Sequence, residues 1–530
     1  MRTVFLLLLI AILAAPPPLS AQDEYQYYRH YDFSGGGNWS TSAFTMPPNE
    51  CPDIRNMIVT EDGALEKRNG YSLHSYVHTS QETEVIPHSI FRFYPTSGDA
   101  QWLMHGGTSL YLYNEALGQW DTQETGLSTA HSNWSAFMGD AFMTNDVDGL
   151  LKWDGSAVTN MSDAYGAPRC RYIEAYNNRL FLSGSTENPL EIYYSDLLNA
   201  SLWPSGGSTS LAGVKAGYWV IQSRDNGVIT GLKGWRDYLA IFTPNTIHLL
   251  QGAYPSEVSI QQLSGNIGCT APRSITAARQ EVFFKFNNHI YAIGDPPVPV
   301  SLKLGTQLSA GTNCVGLTYK RYFMMADPGD DNEMASTDKV WLFDMDRSIW
   351  TCYDDIPVSC AYTANGAGDN SVLLIGDSER ARIYKWDEIS YSDALGRNDR
   401  SYSTYSGQYP CWYLTKQFEM GTPEHYKKFR SIQADTYSST GTFDLSYFID
   451  YDRIDNSFSF TLDGSNSLDY FILDESKLSS QSTAIKVHPF RTGDGGKFIQ
   501  VRFYNEQAEQ QIKFYGFSIR WKPKHFRGGI

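Results

Sequence analysis

Charge is scarce in this chain. Asp, Glu, Lys and Arg together make up 19% of its 530 residues. That leaves little to solvate the outer faces of long amphipathic helices, and no long segment repeats its apolar residues at a 3.6-residue period. The common catalytic signatures are also missing. There is no HExxH, no GxSxG, no GxxxxGK[ST], and no GxGxxG after a strand. The seven cysteines (Cys51, Cys170, Cys269, Cys314, Cys352, Cys360, Cys411) form no CxxC, which argues against a zinc or thioredoxin-type site. They read either as small buried hydrophobes or, in an exported chain, as one or two disulfides, with Cys352 and Cys360 the nearest pair. Past residue 21 no apolar run is long enough for a transmembrane helix. A basic excess is missing too. The net charge is −16 and the pI about 5.1. Non-specific nucleic-acid binding needs cations to neutralise phosphates, so the average surface disfavours it. An acidic wall would instead repel a duplex and let it slide past.

What is abundant points to strands and tight turns. The chain holds 35 Tyr, 27 Phe and 44 Gly, and Asn, Asp and Ser cluster at intervals. Aromatic side chains suit half-buried pleated surfaces; Gly, Asn and Asp suit turns. The length allows two or three domains.

The organising feature is a hairpin that returns seven times. Its first strands centre on Trp102–Met104, Ala141–Met143, Arg179–Leu182, Tyr238–Ile241, Val282–Phe284, Tyr322–Met324 and Val372–Ile375. Its second strands are Ser109–Tyr113, Leu150–Trp153, Leu190–Tyr194, Thr246–Leu250, His289–Ile293, Lys339–Phe343 and Arg382–Trp386. The spacing is roughly 40–60 residues, the range of β-propeller blades with insertions. One such unit cannot bury both of its faces, and radial stacking does so. The expectation is an all-β chain: a β-propeller of about six or seven blades over 80–390, a loop at 391–412, and a C-terminal β-sandwich over 413–530. Residues 22–79 read as an N-terminal arm with short strands, Ser34–Ser42 as loop, and Pro47–Asp53 as the start of a short helix. Residues 1–21 pair Arg2 with an apolar run and end at Leu19-Ser20-Ala21. This reads as a signal peptide cleaved before Gln22, an uncleaved anchor, or a start codon placed too early.

Residues 32–71 carry a more specific pattern. It runs Asp32-Phe33-Ser34-Gly35-Gly36-Gly37-Asn38, Met46-Pro47-Pro48-Asn49-Glu50, Asp53-Ile54-Arg55-Asn56-Met57 and Asp62-Gly63-Ala64-Leu65-Glu66-Lys67-Arg68-Asn69-Gly70-Tyr71. Later come Tyr176–Phe181, Trp235–Leu239, Gly265–Cys269, Pro272–Ile275 and Phe517–Pro523. In this order they resemble the nozzle, or tail tubular protein B, family of short-tailed phages, over about residues 32–523. Asn69 stands where that family commonly has proline, and the signal-like start is no part of its pattern.

The resemblance implies a non-enzymatic virion protein: a β-propeller subunit of a homo-oligomeric ring at the end of a phage tail. Such a ring meets adaptor or tail tube proteins, carries tail fibres or adsorption contacts, and encloses a passage for DNA ejection without specific DNA binding. The signal-like start leaves open an exported bacterial or prophage-derived propeller that binds at the cell surface. A secreted glycosidase or lyase would need converging carboxylates at one propeller mouth. No catalytic, cofactor or metal residue is assigned. Asn145–Gly149 and Asp450, Asp452 and Asp455 cluster oxygens without the spacing of a calcium loop, and read as turns.

The candidate interface or structural residues are Gly35, Gly36, Asn56, Gly63, Leu65, Lys67, Arg68, Gly70, Arg236, Asp237 and Arg273. Gly35–Gly37 read as a close crossing of an arm over a neighbouring subunit, or as a flexible linker. Glu66-Lys67-Arg68 with Asp62 reads as a ring-interface ion pair or, by default, a solvated turn. Arg236-Asp237 and Arg273 are expected at blade junctions, with Arg bridging carbonyls of adjacent repeats.

Overall fold

Alternation of apolar and turn residues becomes a ring of seven four-stranded antiparallel sheets in the computed structural model. It describes residues 25–77, 85–204, 215–223, 227–252, 256–327, 339–365, 371–394, 406–421, 423–438, 441–450, 456–462, 483–490 and 495–524. Blade 1 comprises Pro87–Phe93, Gln101–Gly106, Ser109–Asn114 and Gln119–Thr125. Blade 2 comprises Asn133–Phe137, Asp140–Asn145, Gly149–Trp153 and Val158–Asn160. Blade 3 comprises Tyr172–Tyr176, Arg179–Ser183, Glu191–Tyr194 and Gly217–Val220. Blade 4 comprises Gly231–Trp235, Tyr238–Phe242, Ile247–Gln251 and Ser259–Ser264. Blade 5 comprises Thr276–Ala278, Glu281–Phe286, His289–Ala292 and Val298–Pro299. Blade 6 comprises Val315–Tyr319, Tyr322–Asp327, Lys339–Asp344 and Ile349–Tyr353. Blade 7 takes Cys360–Asn365, Ser371–Gly376 and Arg382–Trp386, and closes with Tyr71–Tyr76 from the N-terminal region. Six of these are separate sheets; blade 6 is the inner end of a nine-stranded one. The first strand of each blade touches that of the next, and blade 7 returns to blade 1.

Every one of the seven hairpins forms the two central strands of its blade. Those strands carry the largest apolar side chains because both of their faces are covered. Leu103, Phe142, Leu180, Leu239, Phe284, Met325 and Leu374 are all fully buried between blades. The inner and outer strands are more polar and were not legible by the same criterion.

A second β unit continues outward from blade 6. Asp53–Arg55 lies parallel to the outer strand of blade 6 and antiparallel to Cys411–Leu414. The sheet then runs on through Ile499–Asn505, Gly441–Ile449 and Asn456–Leu462. A companion sheet holds Lys427–Ser438 and Ile512–Pro523 at its centre, flanked by Thr483–Pro489, Leu65–Lys67, Met57–Val59 and Gln26–His30. The two sheets share one apolar core that includes Ile54, Leu65, Tyr413, Phe429, Leu445, Val501, Phe514 and Trp521.

The sequence boundaries are therefore corrected. Within the range 22–79, the described residues 25–77 are no separate arm. They supply strands to the second unit, on both of its sheets, and the closing strand to blade 7. The unit assigned to 413–530 is incomplete without them, because its core needs Ile54, Met57, Val59 and Leu65. Pro47–Asp53 forms a turn and two short strands instead of a helix: Glu50–Cys51 pairs with Gly36–Gly37, and that hydrogen bonding leaves no helical register. The signal-like segment lies outside the described residues. All seven cysteines are buried and free, which matches the reading as small buried hydrophobes; the alternative of one or two disulfides does not form.

Candidate functional site

The residues Asn56 to Gly70 converge where the propeller, the second unit and the stretches 387–394 and 406–410 meet. Asn56 sits at φ 52°, a left-handed conformation that Asn tolerates better than most residues. Its backbone N–H donates to the Cys352 carbonyl (2.8 Å) and its side-chain amide to the Pro410 carbonyl (2.8 Å). Its Oδ1 accepts from the Asp354 backbone N–H (3.1 Å) and from Arg68 Nε (2.8 Å). Arg68 then forks onto Asp393 with bonds of 2.8 and 2.6 Å, and its guanidinium lies 3.9 Å from the Tyr409 ring centroid. Tyr353 of blade 6 and Trp386 of blade 7 also face it, at 5.4 and 5.8 Å.

Lys67 and Arg68 are both 0% exposed, which overturns the expected solvated turn and the ring-interface ion pair at these two residues. A planar fork matched to a carboxylate and stacked on rings is the chemistry by which Arg survives burial. Burial opposes the Arg68 charge, while Asp393 acts most strongly in the other direction and holds the guanidinium more firmly protonated than when free. Burial raises the Asp393 carboxyl despite the attraction of Arg68. Lys67 donates to the Gln507 carbonyl (2.6 Å) and lies 4.3 Å from the Tyr409 ring. Burial, its first cause, lowers its pKa. Gly70 completes the junction. A Cβ there would stand 1.8 Å from the Ser392 carbonyl oxygen, so only glycine permits this approach. Leu65 is fully buried in the core of the second unit. Gly63 turns at φ 79° with open space around it, while Asp62 pairs with Lys513 at 2.8 Å on the surface.

Gly35 and Gly36 dock within their own chain, which corrects both the neighbour-crossing and the flexible-linker readings. The Gly35 N–H donates to Asn49 (3.1 Å), and its carbonyl accepts from Lys303 Nζ (3.3 Å) in the blade 5–6 connector. Gly36, at φ 63°, leaves room for Trp350 of blade 6.

Arg236 and Asp237 form the two-residue turn between the first strands of blade 4, with Arg236 at φ 53°. Arg236 reaches forward to the Glu281 carboxylate of blade 5 (2.9 Å), and Asp237 accepts on its carbonyl from Tyr176 of blade 3 (2.6 Å). The junction location is as expected, but the Arg236 partner is a carboxylate and no carbonyl. Equivalent forward pairs are Arg279 to Asp346 (2.6 Å) and Lys320 to Glu388 (2.6 Å). Sequence reading missed this repetition because the three cations share a turn position and no motif.

Arg273, in the connector between blades 4 and 5, crosses the propeller axis at the end where the inner strands begin. It bonds to His131 Nε2 (3.2 Å), ahead of blade 2, and to the Ser359 carbonyl, ahead of blade 7. These are not adjacent repeats, so the side chain braces the mouth rather than one junction. Deeper in the bore, Lys233 of blade 4 pairs with Glu174 of blade 3 at 3.0 Å. At the other end a cleft of about 240 Å³ lies beside Asn69, walled by Tyr319, Tyr322, Tyr353 and Trp386. Its rim carboxylate, Glu388, already accepts from Lys320 and Tyr319.

The oxygen clusters considered for calcium are engaged in turns. Asn145 Oδ1 accepts from the backbone N–H groups of Val147 and Asp148 (3.0 and 2.6 Å), and Asp450 Oδ1 from those of Lys497 and Phe498 (2.6 and 3.1 Å). Asp452 and Asp455 lie outside the described residues. Among the described residues no group of three His, Cys, Asp or Glu side chains is placed to hold a metal ion.

No family model and no curated protein matches the sequence. Solved structures with a similar fold include the extracellular domain of a one-component-system candidate from B. thetaiotaomicron. It has 10% identity and a TM-score of 0.40, covering 79% of this chain and 59% of that one. The WD40 domain of Neurospora crassa Pan2 has 8% identity and a TM-score of 0.37, covering 63% and 98%. The surface protein PorZ of the Porphyromonas gingivalis type-IX secretion system has 9% identity and a TM-score of 0.32, covering 68% and 44%. At these identities the likeness concerns the fold alone.

Proposed function

We propose that the chain is a non-enzymatic structural subunit of a phage-tail ring, of the nozzle type, assembling as a homo-oligomer with adaptor or tail tube proteins and offering surfaces for fibres. The observation that carries this reading is the use made of the N-terminal pattern. Asn56, Lys67, Arg68 and Gly70, which bear the family resemblance, bind the propeller and the second β unit together through buried contacts. A building block under load gains from such a joint. Arg273 and the Glu174–Lys233 pair obstruct the propeller bore, so a passage for DNA would lie between copies, walled by an acidic surface. Seven buried free thiols suit assembly in a reducing cytoplasm.

The test is the mass of the assembly. Native mass spectrometry of the purified chain, alone and with its adaptor ring, is expected to give a closed oligomer. A chain that remains monomeric under both conditions overturns the proposal. A second reading, an exported surface-binding propeller, rests on residues 1–21. It requires a mature chain beginning at Gln22, which intact-mass measurement from cells would reveal.

A further inference from the structure

The brace at the axial mouth has an uncompensated charge. Arg273 is half-buried, yet its two hydrogen-bond acceptors are neutral: the Ser359 carbonyl and His131 Nε2. No carboxylate is among its partners in the described residues, and burial lowers its pKa. The neutrality of His131 follows from geometry. Its Nδ1 faces the His88 carbonyl at 3.3 Å, and a carbonyl only accepts, so Nδ1 carries the proton and Nε2 is free to accept from Arg273.

Beside this pair stands an orphan. His88 Nε2 is sealed from solvent and has no hydrogen-bond partner. Its ring lies 5.5 Å from that of His131 and 5.4 Å from that of His105. His105 has nothing to offer it, being engaged with Ser132 Oγ (3.1 Å) and the Ser128 carbonyl (3.1 Å). With its proton on Nε2, His88 presents a buried donor without an acceptor next to a guanidinium without a counter-charge, and one negatively charged acceptor would satisfy both.

We propose that the axial mouth binds a small oxyanion, of phosphate or carboxylate chemistry, between the Arg273 guanidinium and the Nε2–H of His88. The anion supplies the missing charge for Arg273 and the missing acceptor for His88. It ties the first strand of blade 1, through His88, to the segments ahead of blades 2, 5 and 7 that Arg273 joins through neutral groups. The site is independent of the ring assignment.

The experiment is a titration of the full chain at neutral pH and constant ionic strength, with inorganic phosphate in one arm and acetate in the other, chloride as balance. Thermal stability and the imidazole NMR signals of His88 and His131 are followed. A saturable rise in Tm with a shift at His88 is expected in at least one arm; phosphate alone assigns the site to phosphates, acetate alone to carboxylates. Arg273→Gln is expected to weaken binding at least tenfold, and His88→Gln severalfold. Should Arg273→Gln fail to fold, the wild-type His88 signal and His88→Gln carry the decision. Neither anion saturating, or both acting equally on wild type and His88→Gln, overturns the proposal.

Discussion

Arg68 is fully enclosed, and its value to the fold depends on Asp393 remaining opposite it. Removing one partner leaves a buried charge uncompensated, a loss of about 3–5 kcal/mol. Arg68→Ala and Asp393→Ala are each expected to lower stability by about that amount in urea unfolding. The joint change Arg68→Met with Asp393→Leu should recover most of it, since apolar residues of similar volume replace such pairs at little cost. Arg68→Lys should not rescue, because an ammonium cannot fork onto the carboxylate and stack on Tyr409. Gly70→Ala belongs with these: its methyl would collide with the Ser392 backbone, which cannot yield as a flexible side chain would. The importance of Lys67 and Arg68 was visible in the sequence only as part of a pattern. Their burial was not, since Asp393 and Tyr409 lie more than 300 residues away and exposed turns are the ordinary place for a Lys-Arg pair.

Elements repeat more regularly than residues do. Each blade puts its bulkiest side chains on two central strands, and these were readable because covered strands are apolar throughout. Inner strands carry polar groups such as the Glu174–Lys233 pair and Thr363, whose hydroxyl donates to the Thr318 carbonyl, and outer strands meet solvent, so neither gives a continuous apolar signal. The turns between the first and second strands of blades 4, 5 and 6 place Arg236, Arg279 and Lys320 at φ 53°, 56° and 52°. A left-handed conformation costs a non-glycine residue about 1 kcal/mol, comparable to the 0–1 kcal/mol of the exposed ion pair each one makes. Arg236→Gly should therefore leave stability within about 1 kcal/mol of wild type, whereas Arg236→Val, which loses the pair and keeps the strain, should be clearly destabilising in the same urea assay.

At the scale of the whole molecule, the N-terminal segment is threaded through both units. It closes blade 7 with Tyr71–Tyr76 and completes the second unit with Asp53–Arg55, Met57–Val59 and Leu65–Lys67. Calorimetry should accordingly show one unfolding transition, which Arg68→Ala resolves into two as the units uncouple. Stability should also fall in mild acid. His30, His74, His105 and His131 are each held down to about 4 from an ordinary 6.5, with burial the first cause in all four. The unfolded chain takes up protons below about pH 6.5 while the folded chain resists until about pH 4, so stability declines across that window as pH falls. Urea midpoints at about pH 7.5 and about pH 5 measure the decline, and His105→Phe should flatten it.

The sequence by itself determined the all-β class, the seven returning hairpins and the place where they end, because strand period, turn chemistry and covered apolar faces are local properties. Only the tertiary structure decided which strand closes the ring, that residues 26–67 complete a unit centred some 400 residues later, and which cations are buried. Pairing between distant strands leaves no mark on the composition of either one. A lysine or arginine carries the same letter whether its partner is water or a carboxylate brought in by the fold.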